Sequence, residues 1–223
     1  MNAGLPASPS VKASPDGPGA GSAEKRRYVR EVFSAIAPTY DLLNHVLSVN
    51  VDRFRRERAL ARPGFRGSVV GADFALPMLR RGAGKAAGRA LRAGSDALEL
   101  PFREGTFDGA TVGFGVRNLA DLDAGLVELR RVLRDGARLV ILDFTTPTFA
   151  PLRALYLFYF RRVLPVVGRW VSGHPTAYDY LPFSVMEFPS PAVLETRMVR
   201  AGFRACGHQF LTGGIAAVHW GER

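Results

Sequence analysis

Arg117 and Asn118 stand just after Phe107 to Phe114, an apolar run that follows the Glu104-Gly105 turn and reads as a strand. The carboxyl ends of strands are where open α/β sheets gather their catalytic groups. A guanidinium there can stabilise negative charge developing on an oxygen, and an amide can orient a water or a hydroxyl. For Arg117 the alternative is structural pairing with a carboxylate. Asp73 ends Val69-Val-Gly-Ala-Asp73, a short buried strand, and its plainest role is to cap the helix that follows through Met78 and Leu79. Asp41, His45 and Tyr178 are each candidates for a general base, and spacing singles out none of them. The four histidines (His45, His174, His208, His219) are scattered and Cys206 is the only cysteine, so no metal site is expected.

The elements that would position these groups follow the α/β rhythm of strand then helix. Asp121 can cap a helix in which Leu122, Leu126, Leu129 and Leu133 share one face, with Gly136 as its C-terminal glycine. Arg138 to Phe144 then gives a strand that is apolar on both faces, as an interior parallel strand should be. Ser190 is expected to cap a last helix with Pro191 at its first position. Two terminal strands, around His208-Gln-Phe-Leu211 and Ile215-Ala-Ala-Val-His219, should form a hairpin across Gly213-Gly214. Toward the N-terminus, Val29, Val32, Phe33 and Ile36 recur at helical spacing and Pro38 closes the segment. With a charged helical stretch over 52–61, they form a helical cap over 24–61. Residues 1–23 are rich in Pro, Gly, Ser and Ala and are expected to be a disordered arm ahead of one domain over 24–223.

A net charge of +10 over 223 residues would suit nucleic acid or an anionic surface. Only Lys12, Lys25 and Lys85 are lysines, and the arginines are spread along the whole chain without a helix-turn-helix, zinc or aromatic-basic RNA signature, so nucleic acid is not the expected partner. With one cysteine and no export signal, the cytoplasm is the expected compartment. The longest apolar run, Ala154 to Phe160, is far short of the ~20 residues that span a bilayer. The aromatic, arginine-punctuated stretch from Leu152 to Trp170 is either core packing or a surface for a prenyl tail or a membrane.

Seven short elements carry a resemblance. They are Tyr40-Asp-Leu-Leu-Asn44 with Leu47-Ser48, Ala72-Asp73-Phe74 with Met78-Leu79, Ala97 with Leu100-Pro-Phe102, Phe107-Asp108, Phe114-Gly-Val-Arg-Asn118, Arg131-Val-Leu-Arg-Asp-Gly136, and Ala201-Gly-Phe203. Together they resemble the ubiquinone/menaquinone-biosynthesis C-methyltransferase family over roughly Lys25 to the C-terminus, with the Phe114–Asn118 and Tyr40–Asn44 elements the specific ones. The resemblance implies a Rossmann-like class I methyltransferase sheet with helices on both faces and a C-terminal antiparallel hairpin. It implies S-adenosyl-L-methionine as methyl donor and a ring carbon of a prenylated quinol as acceptor, the two held ~3–3.5 Å apart. By the same resemblance, Asp73 binds the cofactor ribose, Asp96 and Ala97 contact the adenine, and Gly113 is a cofactor contact that is often serine in the family. Arg117 stabilises the developing phenolate, Asn118 orients a water or hydroxyl, and Tyr40, Asp41 and Asn44 form a lid. For Asp96 the alternative is a surface turn, and for Gly113 a simple strand end. Peripheral membrane contact, a homo-oligomer or a biosynthetic complex are all compatible with it. The competing functions are a non-catalytic relative acting as an assembly partner, or another small-molecule methyltransferase.

One part of the family pattern has no counterpart here. In the family, the element seen as Arg62-Pro63-Gly64 is followed by a first strand, a glycine-rich acidic loop and a helix, before the strand equivalent to Val69–Asp73. Here only Phe65-Arg-Gly-Ser68 intervenes. The resemblance places that strand centrally, between the strands at Val69 and Phe107, so its loss should leave unpaired backbone unless the neighbours close up. Gly82-Ala-Gly84…Gly88 begins nine residues after Asp73 and is a poor substitute. The expectation is that the chain binds S-adenosylmethionine weakly or not at all.

Overall fold

A computed structural model describes residues 23–36, 67–82, 90–159, 162 and 177–223. The expected arm over 1–23 lies almost wholly outside them. So do the second half of the helical cap, the candidate lid at Tyr40, Asp41 and Asn44, and His45.

The described strands fall into two separate sheets. β1 (Val69–Asp73) pairs in parallel with β2 (Ala90–Gly94), and α2 (Leu76–Gly82) lies between them in the chain. The second sheet has the order β3-β4-β6-β5. In it β3 (Phe107–Gly113) runs parallel to β4 (Leu133–Phe144), while β6 (Ala216–Glu222) is antiparallel to both β4 and β5 (Arg204–Leu211). The neighbours at Val69 and Phe107 have not closed up. β1 pairs with β2 and β3 with β4, and the opposite edge of each carries no ladder among the described residues.

The sequence builds the larger sheet well. Leu139 and Ile141 of β4 are fully buried, as a run apolar on both faces requires. They pack with Leu126, Leu129 and Val132 of α3 (Leu122–Val132) and with Leu194 and Met198 of α6 (Pro191–Arg200). Asp121 caps α3 as expected, its carboxylate accepting from the Ala124 amide at 3.0 Å. On the other face Phe114, Phe144 and Tyr156 of α4 (Ala150–Phe158) form a second cluster with Val185 of α5 (Ala177–Glu187). The expected hairpin is present, and the turn is made by Gly213 and Gly214 at φ 66° and 91°, a region glycine enters without steric cost.

Three local expectations are corrected. Leu133 does not continue the helical face, because the chain turns to extended backbone there (ψ 150°) and Leu133 opens β4, still fully buried. Gly136 is therefore not the terminal glycine of the helix; at φ 77° it lies inside β4, its amide donating to the Arg223 carbonyl at 3.2 Å. Ser190 stands at the start of α6 with Pro191 in the first turn, but its hydroxyl makes no capping bond.

The motif Leu100-Pro-Phe102 is held structurally. Glu128 accepts from the Leu100 amide at 2.7 Å, Arg131 donates to the Leu100 carbonyl at 3.2 Å and to Glu128, and Phe102 meets Phe107 edge to face. That clamp joins two of the motif elements, the one at Leu100 and the one at Arg131, and fixes the turn before β3. Helix α1 (Ala23–Ile36) then straps the two sheets together. Its Val29 and Val32 are buried with Phe74 after β1 and with Tyr180 of α5, and Arg26 pairs with Asp96 at 3.6 Å.

His219 on β6 is 2 % exposed and donates from Nε2 to the Pro191 carbonyl at 3.2 Å. Burial, with the neighbouring His208 adding to it and the Pro191 bond opposing, holds its pKa down at about 4. In the unfolded chain the imidazole takes up its proton near pH 6.5, so the folded form binds fewer protons between those values. Stability should therefore be full above pH 6.5 and fall as pH drops toward 4, by up to about 1.4 kcal/mol per pH unit from this group. Denaturant melts of His219→Gln across that range should show the slope reduced; an unchanged slope would refute it.

Candidate active site at the ends of β3 and β4

β3 ends at Gly113, and the next residue leaves the strand by an unusual route. Phe114 is a non-glycine residue at φ 57°, in the left-handed region that costs a bulky side chain free energy. It is held there by its amide, which donates to the Leu142 carbonyl at 2.7 Å, and by its ring, 4.6 Å from that of Phe144. The turn reverses the chain into a single 3-10 turn, Val116–Asn118, and places Arg117 and Asn118 over the carboxyl ends of β3 and β4.

Arg117 is paired with a carboxylate, Asp143 of β4. The Nη1 to Oδ1 distance is 2.6 Å and the side chains are 6 % and 1 % exposed. Asp143 also accepts from the backbone amides of Arg117 at 3.3 Å and Phe144 at 2.9 Å, so the buried carboxylate has several donors. Arg117 Nη1 donates a second bond to the Phe114 carbonyl at 2.7 Å, and the guanidinium lies over the Phe144 ring. Its Nε is buried and has no partner among the described residues. Asn118 is gripped at both ends: Nδ2 donates to the Phe114 carbonyl at 3.3 Å, and Oδ1 accepts from the Tyr180 hydroxyl at 3.0 Å. Burial pushes the Tyr156 and Tyr180 phenols far up, with the Arg117 charge opposing, so both remain protonated and Tyr180 stays a donor.

Asp143 and Tyr180 are the members of this cluster that carried no role in the sequence reading. Asp143 had a legible signal, a carboxylate closing the apolar run Leu139–Leu142. Tyr180 had none, because it reaches Asn118 from 62 residues away in the chain.

The other predicted residues lie elsewhere. Asp73, at the carboxyl end of β1, accepts from the Ala75 amide at 2.8 Å, the bond of a cap before α2, and burial raises its pKa while that bond and one from Phe74 oppose the rise. Asp96 accepts from the Leu98 amide at 3.0 Å in a turn that also contains half-buried Ala97, and it pairs with Arg26. These three residues belong to the β1–β2 sheet and its following turn, whereas Arg117, Asn118 and Gly113 belong to the other sheet. Gly113 is exposed, and a Cβ there would meet nothing within 4 Å, so serine would fit in its place. The side chain of Tyr178 lies outside those described.

Parallel strands joined by helices, with a polar cluster at their carboxyl ends, define a doubly wound α/β enzyme scaffold. Solved structures share it. An S-adenosylmethionine-dependent methyltransferase from Thermotoga maritima matches with a TM-score of 0.53 at 15% identity, covering 86% of this chain and 98% of that one. Another from Aquifex aeolicus matches at 0.52 and 17% identity, covering 77% of each. At sequence level the chain belongs to the ubiE/COQ5 methyltransferase family, whose profile matches residues 58–223. It is 39% identical to the ubiquinone/menaquinone biosynthesis C-methyltransferase of a Geobacter species, covering 90% of this chain and 98% of that protein. It is 44% identical to the demethylmenaquinone methyltransferase of Thermus thermophilus, covering 86% of this chain and all of that protein.

Those alignments also measure what is missing. The Geobacter match runs over 231 positions, more than the 223 residues of the chain, yet uses 90% of it, about 201 residues. About 30 positions of the relative therefore face no residue here. The Thermus match, 222 positions against 86% or about 192 residues, leaves the same deficit of about 30.

Proposed function

We propose that this protein is a quinone-biosynthesis C-methyltransferase, moving a methyl group from S-adenosylmethionine to a ring carbon of a prenylated quinol. The observation that supports this best is the Phe114–Asn118 turn, in a chain whose family match spans 58–223. It sets a buried arginine with an unspent Nε donor over the strand ends. That donor is suited to an acceptor oxygen gaining negative charge. Asp143 holds the guanidinium in place, and Tyr180 and Phe114 hold the Asn118 amide.

The described residues fit one half of the donor only. Asp73 and the turn at Asp96 and Ala97 stand at the carboxyl ends of β1 and β2, where an acid and a turn can take the ribose and adenine. The methionine half needs a backbone turn of close approach at the end of the strand beside β1. No such strand pairs with β1 among the described residues. The test is methylation of demethylmenaquinol, read as a mass gain of one methyl group, by this chain and by the chain with the relatives' missing segment inserted after Gly64. Transfer by the lengthened chain is expected and should be lost in its Arg117→Met variant. A lengthened chain that binds the donor but methylates no quinol overturns the reading.

The acceptor's tail belongs in a bilayer, and α4 offers a surface for one. Pro151, Ala154, Leu155 and Phe158 recur at helical spacing on its outward face, with Leu155 and Phe158 exposed by 65 % and 60 % and exposed Phe149 beside them. With a net charge of +10, such a face suits an anionic membrane. Leu155→Ser with Phe158→Ser should weaken co-sedimentation with phosphatidylglycerol vesicles by about tenfold or more, leaving the melting temperature unchanged because both side chains face solvent. Equal binding by the variant would exclude this face.

A further inference from the structure

A doubly wound sheet runs in the order 3-2-1-4-5, its ligand crevice lying where the order reverses, beside strand 1. Here the order is β2-β1, a break, then β3-β4, with each pair parallel. This is the same order with one strand taken from its middle. The strands flanking the break are written for an interior they do not have. Val69, Val70 and Ala72 put apolar side chains on both faces of β1, yet none is buried, and Ala72 is exposed. On β3, Ala110 and Val112 are half-buried and Thr111 is exposed. Leu91 of β2 and Leu76 of α2 are 67 % and 54 % exposed, whereas Leu139 and Ile141 of β4 are fully buried. Those two exposed leucines lack the cover that a further helix would supply. The deficit of about 30 positions against two relatives is the length of a strand, a turn and a helix. Meanwhile α1 and α5 tie the two sheets together without filling the break.

We propose that the break between β1 and β3 is a docking slot for a strand supplied by a separate polypeptide. The occupant is a parallel strand, apolar on both faces, followed by a glycine-rich turn and a helix. A second copy of this chain does not qualify, since it lacks the same segment. Strand addition would pair the open edges of both β1 and β3 at once, and its turn would reach the crevice between Asp73 and Gly113. Docking rests on the fold alone; the consequence for the methyl donor rests on the function proposed above.

The test is residue-resolved amide exchange on the purified full chain, alone and with a synthetic peptide. The peptide is the segment of the Thermus relative, about 30 residues, that has no counterpart here. In the free chain the amides of 69–73 and 107–113 that face the break should exchange far faster than those of β4. The peptide should bind saturably and slow both sets by about tenfold or more, and a scrambled peptide should slow neither. The chain with that segment inserted after Gly64 sets the reference for a filled slot. Protection of both strands in the free chain would overturn the proposal, because a segment of the chain itself would then fill the break. So would a peptide that protects neither strand or only one, or an inserted segment that leaves both unprotected. A peptide complex that protects both strands yet takes up no S-adenosylmethionine supports the slot and overturns the cofactor reading instead.

Discussion

Asp143→Ala is expected to cost about 3–5 kcal/mol of folding stability. The carboxylate is 1 % exposed and lies 2.6 Å from the Arg117 guanidinium, itself 6 % exposed. Removing it strands a positive charge where water cannot reach, and leaves the amides of Arg117 and Phe144 without their acceptor. Substituting both partners, Asp143→Leu with Arg117→Met, should restore much of the loss, since a buried pair contributes little beyond its own desolvation. Urea midpoints at constant m-value measure both variants. A loss below about 1 kcal/mol for Asp143→Ala would mean the pair behaves like an exposed one. The double variant should fold and yet lack the Arg117 Nε donor on which the proposed function relies.

The second large effect concerns the methyl donor. Calorimetric titration of the chain with S-adenosylmethionine should show no saturable binding in the micromolar range. The chain with the missing segment inserted after Gly64 should bind at least about 100-fold more tightly, a difference of about 2.8 kcal/mol, and should melt at higher temperature in its presence by mass action. The reason is geometric. On the proposed reading Asp73 and the turn at Asp96 take the ribose and adenine, and among the described residues no strand pairs with the open edge of β1 to bring a backbone turn to the sulfonium end. Micromolar binding by the chain as it stands would show that another segment supplies that turn.

Much of this was legible in one dimension. The periodicity of Leu122, Leu126 and Leu129, the Asp121 cap, the apolar run at Leu139–Leu142 and the glycine pair of the last turn pointed to α3, β4 and the hairpin, because each is a local preference that tertiary packing reinforces. β2 was poorly legible, since Ala90-Leu-Arg-Ala-Gly94 has neither alternation nor β-branched residues and is a strand only because β1 lies beside it. Leu133 and Gly136 were misplaced for a related reason. The leucine spacing continued the helix on paper, while the parallel register with β3, Phe107 against Leu133, drew the backbone into the sheet one residue past Val132.

Residue types and their order were enough to establish the family and the doubly wound class, because both are written along the chain. What Arg117 and Asn118 are bonded to is not. Asp143 and Tyr180 come to them through strand pairing and helix packing, which no spacing along the chain encodes. Packing also decided how β1 and β3 are held. They do not share hydrogen bonds: each is fixed by its own partner, β2 or β4, and by the helices packed on it, so among the described residues the sheet divides and the facing edges carry no ladder.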